Sequence, residues 1–313
     1  MPNLIYTYAY KYNLAMKNPE NSQPDIVENK EISQLPEAYK IYTGICDVYS
    51  PEEAIEMASE LRANRKNPFR KVMIGVMTHP IVLSPDLLVP KDVRREIESI
   101  FPTKEEISGG FTEDPDVLNT IHYADLYGPD AGKDLLENLE LCVKYGGDYL
   151  HAIQLDVTWP DPNELEKFKE KYPNTLIILQ VGKFAMEKAD NDPQEITKRL
   201  KEYGESIDFV LLDLSMGKGV GMRAELLLPL LRLISNEVPT LGLAVAGGLG
   251  PESVDILEPI AREFPDVSID AQGNLKHKDA PRDSQGHLVA THPADINRSR
   301  EYIRKSCEIL DNE

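Results

Sequence analysis

Residues 207–254 constrain the fold more than any other stretch of the chain. They read as an apolar strand (IDFVLLDL), a loop, a helix, a second strand and a second loop, with glycines in the two loops at Gly217, Gly219, Gly221, Gly247 and Gly248. Glycine lets a backbone curl closely around an anion, and a helix N-terminus presents free N–H groups. The glycines could make only tight turns between strand and helix. Two clusters on successive units favour a phosphate site instead, as in the loops after strands 7 and 8 of many barrels.

The rest of the chain repeats this strand-then-helix alternation from residue 40 onward. Runs such as FVLLDL and LIILQV are apolar on both faces, as parallel strands covered by helices must be. Eight such units favour an α/β fold of the closed (β/α)8 type, a TIM barrel, over an open doubly wound sheet. The predicted strands are 40–47, 71–78, 119–126, 149–157, 175–181, 208–214, 242–246 and 267–271.

Eight helices are predicted after these strands. They span 50–64, 91–100, 132–145, 163–171, 193–203, 223–235, 251–264 and 294–310. The first should begin with Ser50 as N-cap, Pro51 at N1 and Glu53 at N3. The predicted domains are an N-terminal extension, residues 1–39, and the barrel, residues 40–313.

Composition narrows the partners that such a chain can have. Its 313 residues carry 53 Asp and Glu against 34 Lys and Arg, a formal net charge of −19, which repels nucleic acid and anionic membranes. The three cysteines are far apart, and no signal sequence or membrane-length apolar run is present. We therefore expect a cytoplasmic protein that acts on a small phosphorylated metabolite, without a cofactor or resident metal. The oligomeric state stays open, with a homodimer as one option.

Polar residues at the predicted carboxyl ends of the strands are the candidates for chemistry, since barrels place their active sites there. Asp213 ends the strand before the first glycine loop, and apolar neighbours would raise its pKa so that it could donate a proton. Cys46 ends the first strand and could serve as a thiolate base or simply as a small buried residue. The other strand-end candidates are Asp47, His79, His122, Asp125, Asp156, Gln180, Lys183, Asp270 and Gln272.

Several of these segments resemble the phosphoribosylanthranilate isomerase family, a TIM barrel of tryptophan biosynthesis. The similar motifs are Gly44-Ile45-Cys46 before Ser50-Pro51-Glu52-Glu53-Ala54, Ile153-Gln154-Leu155-Asp156, Val210-Leu211-Leu212-Asp213, Ala246-Gly247-Gly248-Leu249-Gly250-Pro251-Glu252-Ser253-Val254 and Ile269-Asp270-Ala271-Gln272-Gly273-Asn274. The likeness covers residues 40–275 in outline and is specific in the second half and around Cys46.

The resemblance implies a reaction and a set of site residues. Asp213 would protonate the ribose ring oxygen and open the ring to an imine, and Cys46 would take the C2 proton, completing an Amadori rearrangement. The 5′-phosphate and the rest of the substrate would be held by Gly217, Gly219, Gly221, Gly247, Gly248, Asp270, Gln272 and Gly273, with backbone groups of Leu249 and Asn274.

Two other functions stay open at this point. A metal-assisted pentose-phosphate epimerase or aldolase-like barrel could draw its ligands from His79, His122, Asp125, His151 and Asp156. A barrel that binds phosphate without catalysis is the third option. The polar loop 274–291 could be a lid that brings basic groups to the substrate, or a solvated loop.

Overall fold

Eight parallel strands close into a barrel in sequence order in the computed structural model. The model describes residues 41–125, 132–213, 222–277, 279–280 and 292–311. The barrel closes where β1 pairs with β8, with Thr43 opposite Ile269 and Gly44 opposite Asp270. The strands are β1 (Ile41–Cys46), β2 (Arg70–Thr78), β3 (Val117–Ala124), β4 (Ala152–Asp156), β5 (Leu176–Gly182), β6 (Phe209–Asp213), β7 (Gly242–Ala246) and β8 (Ser268–Ala271). The predicted (β/α)8 barrel is confirmed.

Helices follow every strand and cover the outside of the barrel. They are α1 (Pro51–Asn64), α2 (Pro80–Leu83), α3 (Lys91–Ile100), α4 (Leu135–Gly146), α5 (Pro162–Lys171), α6 (Lys183–Lys188), α7 (Pro193–Glu202), α8 (Ala224–Glu237), α9 (Glu258–Glu263) and α10 (Ile296–Leu310). Short 3₁₀ turns add Gly147–Tyr149, Gly204–Ser206, Val254–Leu257 and Gly273–Leu275. Among the described residues, none of these helices is both long enough and apolar enough to serve as a membrane span.

The N-terminus of α1 forms as its sequence predicts. Ser50 is the N-cap, Pro51 opens the helix, and the Ser50 side chain accepts a hydrogen bond of 3.4 Å from the backbone N–H of Glu53. A hydroxyl acceptor satisfies one of the N–H groups that the first turn leaves without a partner. The cap therefore fixes where α1 begins, and four residues separate this helix from the end of β1.

Three local predictions were wrong. Residues 80–83 and 183–188 form short helices that periodicity over so few residues does not reveal. The predicted helix 251–264 is a 3₁₀ turn followed by α9, which begins at Glu258. Pro259 stands in the first turn of α9, where its missing N–H leaves no intrahelical hydrogen bond unmade.

The core has two parts that the barrel wall separates. The larger part lies between the strands and the surrounding helices. The smaller part fills the inside of the barrel, mostly towards the amino ends of the strands but reaching Ala246 at the end of β7. We call it the apolar layer: Tyr42, Met73, Leu118, Ala152, Ile178, Phe209, Leu211, Ala244 and Ala246. Side chains that alternate along each strand point inward at every second position, so the next inward positions lead to the carboxyl ends.

Two domain-level predictions fall on residues outside the described ranges. The N-terminal extension, residues 1–39, and most of the loop 274–291 are not among the described residues. The division into residues 1–39 and 40–313, and the two alternative roles of the loop, stay predictions.

Candidate active site at the carboxyl ends of the strands

Five polar side chains meet inside the barrel above the apolar layer. They come from five strands: Cys46 from β1, His122 from β3, Gln154 from β4, Gln180 from β5 and Asp270 from β8. We call this group the polar layer. Each residue lies an even number of positions beyond an apolar-layer or inward-facing residue of its own strand, as Tyr42 precedes Cys46 and Leu118 precedes His122. Strand alternation therefore brings these side chains to one level of the barrel.

The polar layer is a connected network. The Cys46 Sγ lies 3.5 Å from Nδ1 of His122 and 3.5 Å from Oδ1 of Asp270. The Gln154 Nε2 lies 3.4 Å from Nδ1 of His122 and 3.4 Å from Oδ2 of Asp270. It also donates to Oε1 of Gln180 at 3.2 Å. A thiol, an imidazole, a carboxylate and two amides thus share one buried volume.

Two glycines within strands make room for this network. A Cβ on Gly44 would lie 2.5 Å from Oδ1 of Asp270, and a Cβ on Gly75 would lie 2.3 Å from Nε2 of His122. Such distances are too short for any side chain, so both positions need glycine. Their role was not predicted from the sequence. The available signal was a glycine inside a strand, which often marks a close approach of another group.

Burial keeps the central groups of the layer uncharged. The pKa of the Cys46 thiol is raised well above its usual value by burial first, and then by the negative charges of Asp270 and Asp47. Burial also lowers the pKa of His122, which outweighs the opposite effect of Asp270 and Asp47. Cys46 is therefore a neutral thiol, and His122 is a neutral imidazole at neutral pH. Cys46 can act as a base only after its proton passes to a neighbour, and Asp270 is placed to accept it.

Two further acidic side chains lie at the mouth of the barrel. Asp156 and Asp213 end β4 and β6, the strands on either side of β5. The pKa of Asp156 is raised from 3.8 to about 7, chiefly by burial and secondly by the charge of Asp213. Asp156 therefore keeps its proton up to about pH 7, whereas an ordinary Asp carboxyl is ionised above about pH 4. The proton-holding carboxyl predicted at Asp213 stays a prediction, and Asp156 adds a second candidate that the sequence did not single out for this role.

The loop after β7 contains two glycines in the positive-φ region. Gly247 and Gly248 have φ angles of 130° and 64°, in the region that favours glycine. The Gly248 carbonyl accepts hydrogen bonds of 2.7 Å from Oγ of Ser253 and 2.7 Å from Nδ2 of Asn274, which tie this loop to the one after β8. Among the described residues, the backbone N–H groups of Gly248, Leu249 and Gly250 donate no hydrogen bond.

The other predicted phosphate ligands fall in different places. Gly217, Gly219 and Gly221 lie in residues 214–221, outside the described part of the chain. Gly273 opens the 3₁₀ turn after β8. Asp270 lies in the polar layer against Cys46, where a carboxylate suits proton transfer better than phosphate binding.

Gln272 belongs to a hydrogen-bonded rim above the polar layer. Its Nε2 donates to Oδ2 of Asp47 at 3.0 Å and approaches Sδ of Met77 at 2.8 Å. The Lys276 Nζ binds the same Asp47 oxygen and the carbonyl of His292. Asp47 and Lys276 are both buried, so this ion pair fixes the end of β1 against the segment after β8.

The metal ligands considered from sequence do not form one cluster. The Nδ1 of His79 accepts a hydrogen bond from the backbone N–H of Ile81, and the Nδ1 of His151 accepts one from the backbone N–H of Asn119. Both imidazoles therefore stabilise the local backbone. Burial lowers the pKa of each to about 4. Within the described ranges, a different group has the geometry of a metal site: Cys46, His122 and Asp270, whose ligand atoms all lie within 4.8 Å of one another.

Comparisons with known proteins give the fold and no reaction. Neither a family model nor a curated protein matches the chain. Among solved structures, phosphoribosyl anthranilate isomerase from Thermococcus kodakaraensis aligns at 15% identity over 88% of this chain and 100% of that one, with a TM-score of 0.48. Active domain 2 of a chitinase from Pyrococcus furiosus aligns at 10% identity over 88% and 97%, with a TM-score of 0.50. At such identities the likeness shows the barrel alone, because one barrel fold carries many chemistries.

Proposed function

We propose that this protein is an acid–base isomerase that acts on a phosphorylated sugar. The observation that carries the proposal is the Asp156–Asp213 pair, in which one carboxyl keeps its proton up to about pH 7 beside a second carboxyl. Two carboxyls at the ends of β4 and β6, of which Asp156 has a raised pKa, suit a step that donates and later regains a proton. The polar layer below them provides a second site of proton transfer.

The two sites divide the work of an aldose–ketose rearrangement. Asp213, supplied with a proton by Asp156, protonates the ring oxygen of the substrate and opens the ring. Cys46 removes the C2 proton after its own thiol proton has passed to Asp270. The electron pair left on C2 forms the enol or enolamine. At C1 it takes the proton from the Cys46 thiol, and it loses its hydroxyl proton to Asp213, which gives the ketose. Cys46 then regains its own proton from Asp270. Atoms and charge balance without any oxidant or cofactor.

The phosphate end of the substrate would lie on the loop after β7. The N–H groups of Gly248, Leu249 and Gly250 are the donors available there, and backbone donors suit a phosphate because they add no side chain that must be ordered. Carboxylates repel phosphate, so the acid–base groups and the phosphate must sit at different ends of the substrate. We propose a phosphorylated aldose or 1-amino-aldose as the substrate class, in a cytoplasmic enzyme.

The test combines binding with turnover. Calorimetric titration with ribulose 5-phosphate and with the anthranilate-deoxyribulose phosphate would measure the phosphate site, with Gly248→Asp as the variant that should abolish binding. The rate at which the matching aldose or amino-aldose phosphates are converted to the ketose would then be measured with wild-type protein and with Asp213→Asn. A general acid contributes about 10²–10⁴-fold to a rate, so the Asp213→Asn variant should lose that much of kcat while its phosphate affinity is unchanged.

Asp92→Asn, which changes an exposed carboxylate of α3, is the matched control and should leave both readouts as in the wild type. Phosphate binding without turnover of any of these sugars would favour the non-catalytic barrel. Equal kcat values for the wild type and Asp213→Asn would contradict the role given to the carboxylate pair.

A further inference from the structure

Cys46, His122 and Asp270 offer three different ligand atoms to one point inside the barrel. We propose that these side chains form a binding site for a thiophilic divalent cation of the Zn²⁺ type. This inference goes beyond the isomerase proposal, because metal binding can be measured without any substrate. It also differs from the metal-assisted alternative considered from sequence, which used neither Cys46 nor Asp270.

The distances within the cluster match those of a tetrahedral site. Zn²⁺ holds a cysteine sulfur at about 2.3 Å and a histidine nitrogen or carboxylate oxygen at about 2.0–2.2 Å. At a tetrahedral angle, such bonds keep sulfur about 3.5 Å from the nitrogen and from the oxygen. In the structure the Sγ of Cys46 lies 3.5 Å from Nδ1 of His122 and 3.5 Å from Oδ1 of Asp270. These two separations match those of Zn²⁺ ligands, and all three ligand atoms lie within 4.8 Å of one another, so an ion could bind once the imidazole and the carboxylate turn towards it.

The side-chain amide of Gln154 gives an independent reason to place a cation at this cluster. The Oε1 of Gln154 is buried and has no hydrogen-bond partner among the described residues, although buried polar atoms are normally paired. Its Nε2 lies 3.4 Å from both Nδ1 of His122 and Oδ2 of Asp270. Rotation of this amide by half a turn would bring the unpaired oxygen onto the cluster, where a cation could accept it as a fourth ligand.

The choice of cation follows from the kinds of donor atom. Thiolate sulfur and imidazole nitrogen select Zn²⁺ and similar ions over Mg²⁺ and Ca²⁺, which take oxygen ligands. Cys46 would bind as a thiolate, and its proton would pass to the solvent. The other cysteines, Cys142 and Cys307, are also buried but belong to no such cluster in the described part of the chain. They provide matched controls.

The site has a defined relation to the proposed reaction. An ion held by Cys46 would withdraw the thiolate from proton transfer, so Zn²⁺ should inhibit the isomerase if Cys46 is its base. This consequence rests on the proposed function, whereas the binding of the ion does not. Binding without inhibition would argue against Cys46 as the base and would leave the metal site standing.

The test uses the full chain, with any affinity tag removed, in a phosphine reductant. Titration with Zn²⁺ should show one tight site per chain, and Co²⁺ should give the near-ultraviolet charge-transfer absorption of a thiolate–cobalt bond. Cys46→Ser should abolish that absorption and weaken Zn²⁺ binding by roughly 100-fold or more, since even the residues that support metal ligands are worth about 10–100-fold in affinity. Cys142→Ser should bind as the wild type does.

Asp270→Asn is a second, nearly isosteric ligand variant, and circular dichroism of each variant shows whether it is folded. It should also bind Zn²⁺ roughly 100-fold or more weakly, for the same reason as Cys46→Ser. The proposal is overturned if folded wild-type protein binds no Zn²⁺, if either ligand variant binds as tightly as the wild type, or if bound Co²⁺ shows no thiolate absorption.

Discussion

The apolar layer and the polar layer lie inside the same barrel, share strands β1, β3, β4 and β5, and are both largely buried. Leu118 on β3 is 1% exposed and His122, four residues further on, is 7% exposed. Ile178 on β5 is fully buried, and Gln180 follows two residues later. The main difference between the two layers is the polarity of their side chains. Burying polar groups costs stability unless they are fully hydrogen-bonded, and this layer leaves Oε1 of Gln154 unpaired.

The difference shows a division of labour along the barrel axis. The apolar layer fills the interior with side chains such as Phe209 and Tyr42, whose ring centroids lie 5.4 Å apart. The polar layer replaces such contacts with titratable and metal-binding groups. A barrel that needed only stability would continue the apolar packing to its carboxyl ends. We infer that the first layer stabilises the fold and the second is kept for chemistry.

The largest expected effect on stability comes from opening the apolar layer. Phe209→Ala should lower the free energy of unfolding by about 3–5 kcal/mol, because the buried ring packs against Tyr42 and its removal leaves a cavity. Urea unfolding measures this loss. Asp270→Asn in the polar layer is the comparison variant and should cost about 1 kcal/mol or less, since an amide can keep similar contacts. Equal losses in the two variants would remove the distinction between the layers.

Because of Asp156 at the mouth of the barrel, the free energy of unfolding should decrease as the pH rises. Asp156 has a folded-state pKa of about 7 against 3.8 for an ordinary Asp. Between these values the folded protein keeps the proton that the unfolded chain loses, so raising the pH favours unfolding. The group should contribute a loss of up to about 1.4 kcal/mol per pH unit between about pH 4 and 7, with no further change above that range.

Urea unfolding of the wild type and Asp156→Asn at a series of pH values isolates this contribution as a difference. The unfolding free energy of the wild type minus that of Asp156→Asn should decrease as the pH rises to about 7 and then stay constant. In Asp213→Asn the upper end of the window should move to lower pH, because the second cause of the raised pKa is gone. A difference that is independent of pH would show that Asp156 ionises normally in the folded protein.

The smallest of these effects concerns the loop after β7. Gly248→Ala should cost about 1–2 kcal/mol, because Gly248 has a φ of 64° and a Cβ is strained in that conformation. The same variant should weaken phosphate binding in calorimetric titration, since the strained loop would shift the N–H groups of Gly248 and Leu249. Ala in place of Gly204, which also has a positive φ of 53°, precedes β6 and has no atom within 4 Å of an added Cβ, is the matched control. It should cost similar stability and leave phosphate binding unchanged.

Most of the fold could be predicted from sequence because its signals are local. Strand β7 and helix α3 begin and end where the pattern predicts, and the cap at Ser50 forms as expected. The failures were also local: α2 and α6 are too short for periodicity to show, and a 3₁₀ turn precedes α9 where the apolar pattern predicts one helix. Cys46, His122, Asp156, Asp213 and Asp270 could be named as strand-end residues without any structure.

The sequence by itself determined the eight-unit barrel, the polar strand ends and the glycine turn after β7, because alternation, capping and glycine conformations depend on neighbours along the chain. Only the tertiary structure decided which strand ends meet. Cys46 and Asp270 are 224 residues apart and touch because β1 pairs with β8, whereas Asp156 takes its raised pKa from burial and from Asp213 two strands away. Contacts and desolvation of this kind depend on closure of the barrel, which no local pattern encodes.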